Sequence, residues 1–305
     1  MITKKIGVAI VAPGGYAPDI AALPRAIAQL EARGCVVHNY YDHAALHQRF
    51  GATDEGRLAQ LHAAIADPDV QIILALRGAY GMTRLLDKID YRALANSGKI
   101  VVGYSDITAL HMALYAKTYA SSYAGPMAAM DFGAEVPDAF TMENFWACLA
   151  GPEHTLTGVG AGNPACDVRG TVWGGNLAMT VSLLGTPYFP DIDRGILFFE
   201  DIGEHPYRVE RMLLQLAQAG VLARQKALVL GDFSGYRLGP ADSGYNFDAM
   251  LSYLRDVLDM PVLTGLAFGH IARHVTIPFG ANGRLLSTID RFSLTLSDYP
   301  TITLA

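Results

Sequence analysis

The sequence predicts an α/β protein with two domains: an N-terminal parallel-sheet domain of the Rossmann or flavodoxin type and a smaller, β-rich C-terminal domain. The chain has 305 residues, which is long for a single hydrophobic core. Its first half alternates apolar strands with helices, as in parallel sheets covered on both faces. Its last part, residues 261–305, contains strand-like stretches and little helix. We predict domains at 1–150 and 169–305, joined by a linker over 151–168.

The first half contains four predicted strands, each followed by a helix or a helical turn. The strands are expected at 7–12, 35–41, 70–76 and 99–104, and the helical segments at 20–33, 54–66, 82–86 and 106–117. Gly34 follows the first helix, where a left-handed C-cap glycine is common. Sites in such sheets form at the carboxyl ends of strands. Two segments occupy such ends, RGAYG (77–81) and GYSD (103–106).

The second half differs in composition. Residues 151–168 are rich in Gly, Pro and Thr with few helical signals, which is typical of a linker. A Gly-Gly turn and a helix-like run follow over 171–185, then a buried strand over 195–200 and an amphipathic helix over 207–218. A further strand and loop are expected over 226–236, and strands at 291–297 and 302–304. This distribution predicts the β-rich second domain.

Composition excludes several classes of function. The chain is 51% hydrophobic and 17% charged, with a formal net charge of −6 and no Lys/Arg cluster. A nucleic-acid-binding or anionic-membrane-binding surface is therefore disfavoured. No apolar segment approaches the 18 or so residues of a transmembrane helix. The apolar run 6–12 ends in Pro-Gly-Gly, so we interpret it as the first strand and not as a signal peptide.

The cysteines point to a reducing compartment. The chain has three, Cys35, Cys148 and Cys166. Their odd number and wide spacing argue against a disulfide framework and against zinc-binding CxxC pairs. We therefore expect a cytoplasmic protein.

Ser105 has two interpretations. It follows a predicted strand and precedes a helix-like pattern, so with Asp106 it resembles an ordinary helix cap. The same position suits a nucleophile on a sharp strand-to-helix turn, a motif that usually reads G-x-S-x-G. Ile107 occupies the place of the last glycine. The segment alone leaves both interpretations open.

A serine nucleophile needs a base and a carboxylate that orients it. Glu200 and Asp201 come at the end of the predicted strand GILFFE, where a buried carboxylate needs a partner. The alternative is a loop cap or an ion pair with Arg208 or Arg211. Both alternatives leave Glu200 as the first carboxylate to test.

The candidate base is His270, which follows Gly269 at an apparent strand end. Its alternative role is structural, as for most isolated histidines. His205 is the one rival that we retain, because it closely follows the strand that carries Glu200. With Ser105 and Glu200 on the two halves of the chain, the site is expected in the cleft between the domains, a favoured place for ligand pockets.

Seven sequence blocks, in this order, resemble those of the serine LD-carboxypeptidases, also called muramoyltetrapeptide carboxypeptidases. The blocks are VAPGG, RGAYGMTRLLDKIDY, VVGYSDITAL, AGPM, WGGNLAMTVSLLGTP, LFFEDIGEHPYRVERML and FGHIARHVTIPFG. The resemblance implies that Ser105 is the nucleophile, Glu200 the acid and His270 the base. It also implies hydrolysis of the L,D-peptide bond of a murein tetrapeptide, with release of terminal D-alanine in peptidoglycan recycling, by a homodimer.

Within this resemblance the oxyanion would be held by backbone N–H groups of Asp106, Gly78 and Ala79. The family usually has glycine where this chain has Ala79, and alanine tolerates a positive φ less well. Arg77, Tyr80 and Asn176 are candidate substrate-binding residues. A structural salt bridge or turn is the alternative for Arg77 and for Asn176.

Two other functions stay open at this stage. One is a related serine amide hydrolase of the microcin-immunity type that cleaves a peptidyl-nucleotide. The other is a non-catalytic α/β module that binds a nucleotide at Gly14-Gly15, although PGGYAP does not match G-x-G-x-x-G. No cofactor and no metal are predicted, because the chain has no H-E-x-x-H motif and no third ligand beside His43 and His47.

Overall fold

The computed structural model describes residues 5–303. These residues form thirteen strands and eight α-helices. The strands are β1 Gly7–Val11, β2 Val36–Asn39, β3 Ile72–Ala75, β4 Ile100–Gly103, β5 Ser122–Ala124, β6 Glu153–Val159, β7 Cys166–Asn176, β8 Ile196–Ile202, β9 Ala227–Ser234, β10 Val262–Thr264, β11 Ile277–Phe279, β12 Asn282–Ser287 and β13 Arg291–Ser297. The helices are α1 Ala22–Ala32, α2 Asp54–Ala66, α3 Tyr91–Asn96, α4 Thr108–Thr118, α5 Ala139–Ala150, α6 Leu177–Ser182, α7 Pro206–Gln218 and α8 Phe247–Val257.

The first sheet has the order β11-β5-β4-β3-β1-β2. Its five N-terminal strands are parallel, whereas β11 pairs antiparallel with β5. Every residue of β1, β3 and β4 is buried, because helices cover both faces of a parallel sheet. The predicted parallel-sheet domain is therefore confirmed, with the addition of one strand that comes from the C-terminal half of the chain.

The second sheet has the order β10-β9-β8-β7-β12-β13-β6 and is half parallel, half antiparallel. Strands β7 to β10 pair in parallel, whereas β12 pairs antiparallel with β7 and β13, and β13 with β6. Burial alternates along β12 and β13 because one face of this half meets solvent. The β-rich second domain predicted from the sequence is confirmed, and it also contains a parallel, helix-connected half.

The structure corrects two sequence-based boundaries. The predicted linker 151–168 contains β6, an edge strand that pairs with β13, so this stretch is part of the second sheet. The Thr residues of this stretch favour a strand, and they were a better guide to its secondary structure than its Gly content. The stretch 302–304 was predicted as a strand; residues 302 and 303 have no regular structure, and Leu304 lies outside the described residues. The division into domains at 150 and 168 stays a prediction.

Three helices were not predicted from the sequence: α3, α5 and α8. Helix α5 follows Asp138, whose side chain accepts a hydrogen bond from Thr141 N–H as an N-cap. This helix lies outside the strand–helix alternation from which the other helices were predicted. Its Thr141 side chain contacts the backbone of Ala272 and His274. Within the described residues, no helix is long and apolar enough to cross a bilayer.

Candidate active site

Ser105 lies on a strained turn between β4 and α4. Its φ is +61°, a left-handed conformation that is rare for residues other than glycine and that concentrates at functional sites. The residue opens a short 3₁₀ turn, Ser105–Ile107, and no side chain caps that turn. The helix-cap interpretation of Ser105 is therefore wrong. The turn presents its side chain in the manner of a strand-to-helix nucleophile elbow.

The Ser105 hydroxyl contacts a histidine from the other end of the chain. Ser105 Oγ lies 3.1 Å from His270 Nε2, and His270 Nδ1 lies 2.7 Å from Glu200 Oε2. An ionised carboxylate can only accept a hydrogen bond, so His270 Nδ1 carries the hydrogen. His270 Nε2 is then free to accept a hydrogen bond from the Ser105 O–H. The structure thus brings together the three residues that the sequence analysis selected, in one continuous hydrogen-bonded chain.

Glu200 is inaccessible to solvent, whereas 18% of the His270 side chain is exposed. Burial lowers the pKa of His270, but the hydrogen bond and negative charge of Glu200 outweigh burial, so the net shift is upward from 6.5. A buried carboxylate beside an imidazole stabilises the imidazolium and fixes the imidazole tautomer. The pair therefore has the electrostatics of a histidine general base.

His270 does not lie at a strand end, contrary to the sequence-based expectation. Strand β10 stops at Thr264, and Gly265 with φ +93° turns the chain away. Residues 265–276, which we call the base loop, have neither helix nor strand. Glu200, by contrast, lies inside β8, opposite Asn176 of β7.

Asn176 lies next to Glu200, is buried, and has its amide occupied by protein partners. Its Nδ2 donates to Glu200 Oε1 at 3.1 Å and to Asp201 Oδ1 at 3.0 Å, and its Oδ1 accepts from Met179 N–H as the N-cap of α6. The sequence-based assignment of Asn176 as a substrate-binding amide is therefore corrected. The physical reason is that two adjacent buried carboxylates need donors, and the Asn176 amide supplies them both.

Asp201 shares this network but not the contact with histidine. Its oxygens accept from Asn176 Nδ2 and from the backbone N–H groups of Ala178 and Ile202. Burial raises its pKa to about 6, partly offset by those hydrogen bonds. Asp201 therefore holds the start of α6 against β8, and Glu200 alone reaches His270.

The RGAYG loop packs directly on Ser105. A Cβ at Gly78 would lie 2.7 Å from Ser105 Cβ and 2.9 Å from its Oγ, so only glycine fits at this point of contact. Ala79 adopts φ +72°, a left-handed conformation that alanine tolerates less well than glycine. This is the position at which the sequence resemblance predicts a glycine. Among the described residues, the backbone N–H groups of Gly78, Ala79 and Asp106 have no protein acceptor.

Asp106 fastens this loop from the nucleophile side. Its Oδ2 accepts from Met82 N–H at 2.9 Å, whereas its buried Oδ1 has no hydrogen-bond partner among the described residues. Burial raises the pKa of Asp106 to about 6, with the Met82 hydrogen bond acting in the opposite direction. One residue thus offers its backbone N–H beside Ser105 and its side chain to the RGAYG loop.

The two remaining candidates of that loop are accessible. Arg77 is half-buried, and its guanidinium makes one long hydrogen bond to Tyr16 O, at 3.4 Å. Tyr80 is 42% exposed and packs near Phe50, with the Arg49 guanidinium 5.5 Å from its ring centre. Neither side chain has an ion-pair partner within residues 5–303. Both are placed where a ligand could reach them.

The alternatives retained from the sequence lie elsewhere. His205 pairs with Asp242, Nε2 to Oδ1 at 3.1 Å, and caps α7. Arg208 pairs with Glu204 at 3.7 Å and not with Glu200 or Asp201. His43 contacts the Tyr41 hydroxyl at 2.7 Å. In the part of the chain that the structure describes, no group of three His, Cys, Asp or Glu side chains could hold a metal ion.

Two family models match the two halves of the chain that contribute to this site. The LD-carboxypeptidase N-terminal domain matches residues 8–125, and the LD-carboxypeptidase C-terminal domain matches residues 169–285. Together they cover Ser105, Glu200 and His270. The chain belongs to the LD-carboxypeptidase family.

Relatives of this LD-carboxypeptidase family member align with it along nearly their whole length. A probable murein peptide carboxypeptidase of Bacillus subtilis (strain 168) is 30% identical over 289 residues, which are 93% of this chain and 90% of the relative. The crystal structure of a muramoyltetrapeptide carboxypeptidase from Oxalobacter formigenes is 51% identical with a TM-score of 0.93, and the match covers 97% of this chain and 100% of that one.

A third comparison concerns the fold alone. The microcin C7 self immunity protein has a TM-score of 0.88 at 24% identity, over 98% of each chain. The LD-carboxypeptidase architecture is thus shared with an immunity protein.

The sequence analysis missed one buried residue of this LD-carboxypeptidase site. Arg57 on α2 is inaccessible to solvent and donates to Gly81 O at 3.0 Å and to Pro13 O. Its other terminal nitrogen lies 2.5 Å from Asp54 Oδ1. It thereby anchors the end of the RGAYG loop. The available signal was an arginine on the apolar face of α2, where Leu61 and Ile65 are also buried.

Proposed function

We propose that this protein is a serine peptidase that hydrolyses the L,D-peptide bond of murein tetrapeptides and releases the terminal D-alanine. The observation that carries this proposal is the hydrogen-bonded chain Ser105–His270–Glu200 on a left-handed turn. Family membership and the likeness to murein peptide and muramoyltetrapeptide carboxypeptidases support the substrate class.

In the proposed acylation step, Ser105 Oγ attacks the scissile carbonyl carbon while its proton passes to His270 Nε2. Glu200 holds Nδ1–H, fixes the tautomer and stabilises the imidazolium that forms. The C–N bond then breaks as His270 returns the proton to the leaving D-alanine amine. Water, deprotonated by His270, hydrolyses the acyl-enzyme and regenerates Ser105.

The oxyanion is assigned to the unpaired N–H groups beside Ser105. Asp106 N lies 3.2 Å from the position of a Cβ on Gly78, so the RGAYG loop and the turn after Ser105 come close together at the hydroxyl. Removing one oxyanion donor typically raises the barrier by about 3–4 kcal/mol. Asp106 and Arg57 hold the RGAYG loop in place, at Met82 N–H and Gly81 O.

We assign substrate recognition to Arg77 and Tyr80. A guanidinium with a single long hydrogen bond suits a substrate carboxylate, which it binds in a bidentate manner. The exposed ring of Tyr80 offers an apolar surface at the same loop.

We also propose a cytoplasmic homodimer, in keeping with the family resemblance and with three unpaired cysteines. Light scattering coupled to gel filtration measures the oligomeric state. Fractionation of cells expressing the full chain measures the location.

The decisive experiment incubates the purified protein with a murein tetrapeptide and measures released D-alanine, with Ser105→Ala as the control. An all-L peptide of the same composition should be a poor substrate, and activity should survive EDTA and not rise with zinc. A peptidyl-nucleotide amide forms the third arm of the panel. Turnover of that compound alone would contradict the murein substrate, and zinc-restored activity after chelation would contradict the serine mechanism.

A further inference from the structure

The base loop, residues 265–276, carries the proposed general base without regular structure of its own. Among the described residues, none of the backbone groups of 269–274 makes a backbone–backbone hydrogen bond. The loop's ends are tied down, by Phe268 O to Asp232 N–H and by Val275 N–H to Ala267 O, at 2.8 and 2.7 Å. The segment that includes His270 must therefore be held by contacts other than backbone–backbone hydrogen bonds.

That support comes from the N-terminal half of the chain. The Thr141 hydroxyl donates to Ala272 O at 2.8 Å and accepts from His274 N–H at 2.9 Å. Asn144 Oδ1 accepts from Thr276 N–H at 2.7 Å. Thr141 and Asn144 lie one helical turn apart on α5, so one face of this helix grips the base loop just beyond His270.

Thr141 is itself rigidly placed. It is 1% exposed, and Asp138 caps the first turn of α5 by accepting Thr141 N–H at 2.8 Å. A site residue works best when its support is a regular element with locked side chains. The one hydroxyl hydrogen of Thr141 has two acceptors within reach, Ala272 O at 2.8 Å and Asp138 Oδ1 at 3.1 Å, and the shorter contact is the one to the base loop. The same oxygen accepts from His274 N–H, and no aliphatic side chain of the same shape can make these contacts.

We infer that Thr141 is a positioning residue that holds His270 within reach of Ser105, with Asn144 as a second support. The inference rests on the proposed function of Ser105 and His270. Without the two Thr141 bonds, the backbone of Ala272 and His274 loses its anchor to α5, and the imidazole of His270 between Glu200 and Ser105 is held less precisely. Misplacement of a catalytic group by about 1 Å costs on the order of 100-fold in rate.

The test compares Thr141→Val, which keeps the shape and loses the hydroxyl, with Thr141→Ser, which keeps the hydroxyl. Thr118→Val is the matched control, because the Thr118 hydroxyl also donates to one backbone carbonyl, Leu114 O, and accepts from one backbone N–H, that of Ala120, but does so at the far end of α4. The readout is the rate at which a fluorophosphonate labels Ser105, followed by intact-protein mass spectrometry. This reaction reports the activated serine and needs no murein substrate.

We expect Thr141→Val to label about 10- to 100-fold more slowly than wild type, and Thr141→Ser and Thr118→Val to remain within a few-fold of it. On murein tetrapeptide, kcat should fall by the same factor while KM stays within about twofold, because the substrate side of the site is untouched. Equal labelling of folded Thr141→Val and Thr141→Ser would overturn the inference.

If Thr141→Val does not fold, as judged by circular dichroism, Asn144→Ala and Asn144→Asp replace the pair. Asp retains an acceptor for Thr276 N–H and Ala does not, so only Asn144→Ala should be slow. Equal rates would again overturn the inference. Labelling of wild type without murein turnover would refute the substrate alone, and the variant comparison would still decide on Thr141. Failure of wild type to label at Ser105 would refute both.

Discussion

Two histidine–carboxylate pairs flank the ring of Tyr104, and only one of them belongs to the proposed machinery. The rings of His270 and His274 lie 5.3 and 5.2 Å from it, on the same loop. His270 pairs with Glu200 at 2.7 Å, and His274 pairs with Asp131 at 3.0 Å. In chemical composition the pairs are nearly identical.

The difference lies in the second nitrogen and in access to solvent. His270 Nε2 meets the Ser105 hydroxyl, and the His270 side chain is 18% exposed. His274 is wholly inaccessible, and its Nδ1 faces the Val275 carbonyl at 3.4 Å. A histidine–carboxylate pair is therefore not a site by itself. It becomes one where a nucleophile completes it and a substrate can approach.

The largest expected effect removes the completed pair. Ser105→Ala and His270→Ala should each lower kcat for D-alanine release by a factor of about 10⁶, and the double variant should be little worse, because the residues act as one unit. Circular dichroism and thermal unfolding check that the fold is kept. Full activity in Ser105→Ala would sink the mechanism.

The next effect separates Glu200 from a nearby carboxylate. Glu200→Gln should lower kcat by about 10⁴-fold, as loss of the orienting carboxylate does in other triads. Glu204→Gln, on a residue paired with Arg208, should stay near wild type. The reverse ranking would mean that the acid is misassigned.

The same variant has a signature in the pH profile. Activity needs neutral His270, so kcat/KM of wild type should fall as pH drops through a pKa raised above 6.5. In Glu200→Gln the negative charge that raises the pKa of His270 most is gone, so the lowering effect of burial weighs more and the acid limb should move to lower pH. Protonated His270 stabilises the folded state, so that contribution is lost as pH rises through the same pKa. An acid limb that does not move would contradict the pairing.

A smaller effect is expected at the inaccessible pair. The two carboxylate oxygens of Asp131 accept hydrogen bonds from His274 Nε2 and from Met127 N–H. In Asp131→Asn one of these oxygens becomes an NH₂ group, so one donor then faces another donor. We expect a loss of about 1–3 kcal/mol in the free energy of unfolding, measured by urea titration, with kcat reduced less than about tenfold. A loss of activity as large as that of His270→Ala would erase the distinction between the pairs.

The smallest effect concerns a buried carboxylate that has no histidine. The pKa of Asp106 is raised by burial from 3.8 to about 6, so the folded state binds more protons than the unfolded state between these values. Stability should therefore fall as pH rises through this window, with a slope of at most about 1.4 kcal/mol per pH unit from this residue. Asp106→Asn should be flatter over this range by that amount, measured by urea titration at several pH values. Identical slopes would exclude a buried ionisation at Asp106.

Sequence reasoning succeeded where the information was local. The four apolar strands of the first half, the turn at Ser105 and the acid in GILFFE could be predicted because period and punctuation act over a few residues. It failed at β6 and α5, whose signals are weak without their partners. It also misplaced Asn176, since nothing local indicates that its amide must satisfy both Glu200 and Asp201.

The sequence by itself determined the alternation of strands and helices, the family resemblance and the chemical types of the candidate triad. The sequence analysis selected His270, but only the tertiary structure shows that His270 meets Ser105 across 165 positions of sequence and that His274, on the same loop, pairs with Asp131 instead. Hydrophobic periodicity encodes which face of an element is buried, but it does not encode which distant element covers that face. The contacts of the two histidines, and those of the Thr141 hydroxyl on α5 with the base loop, exist only once the chain has folded.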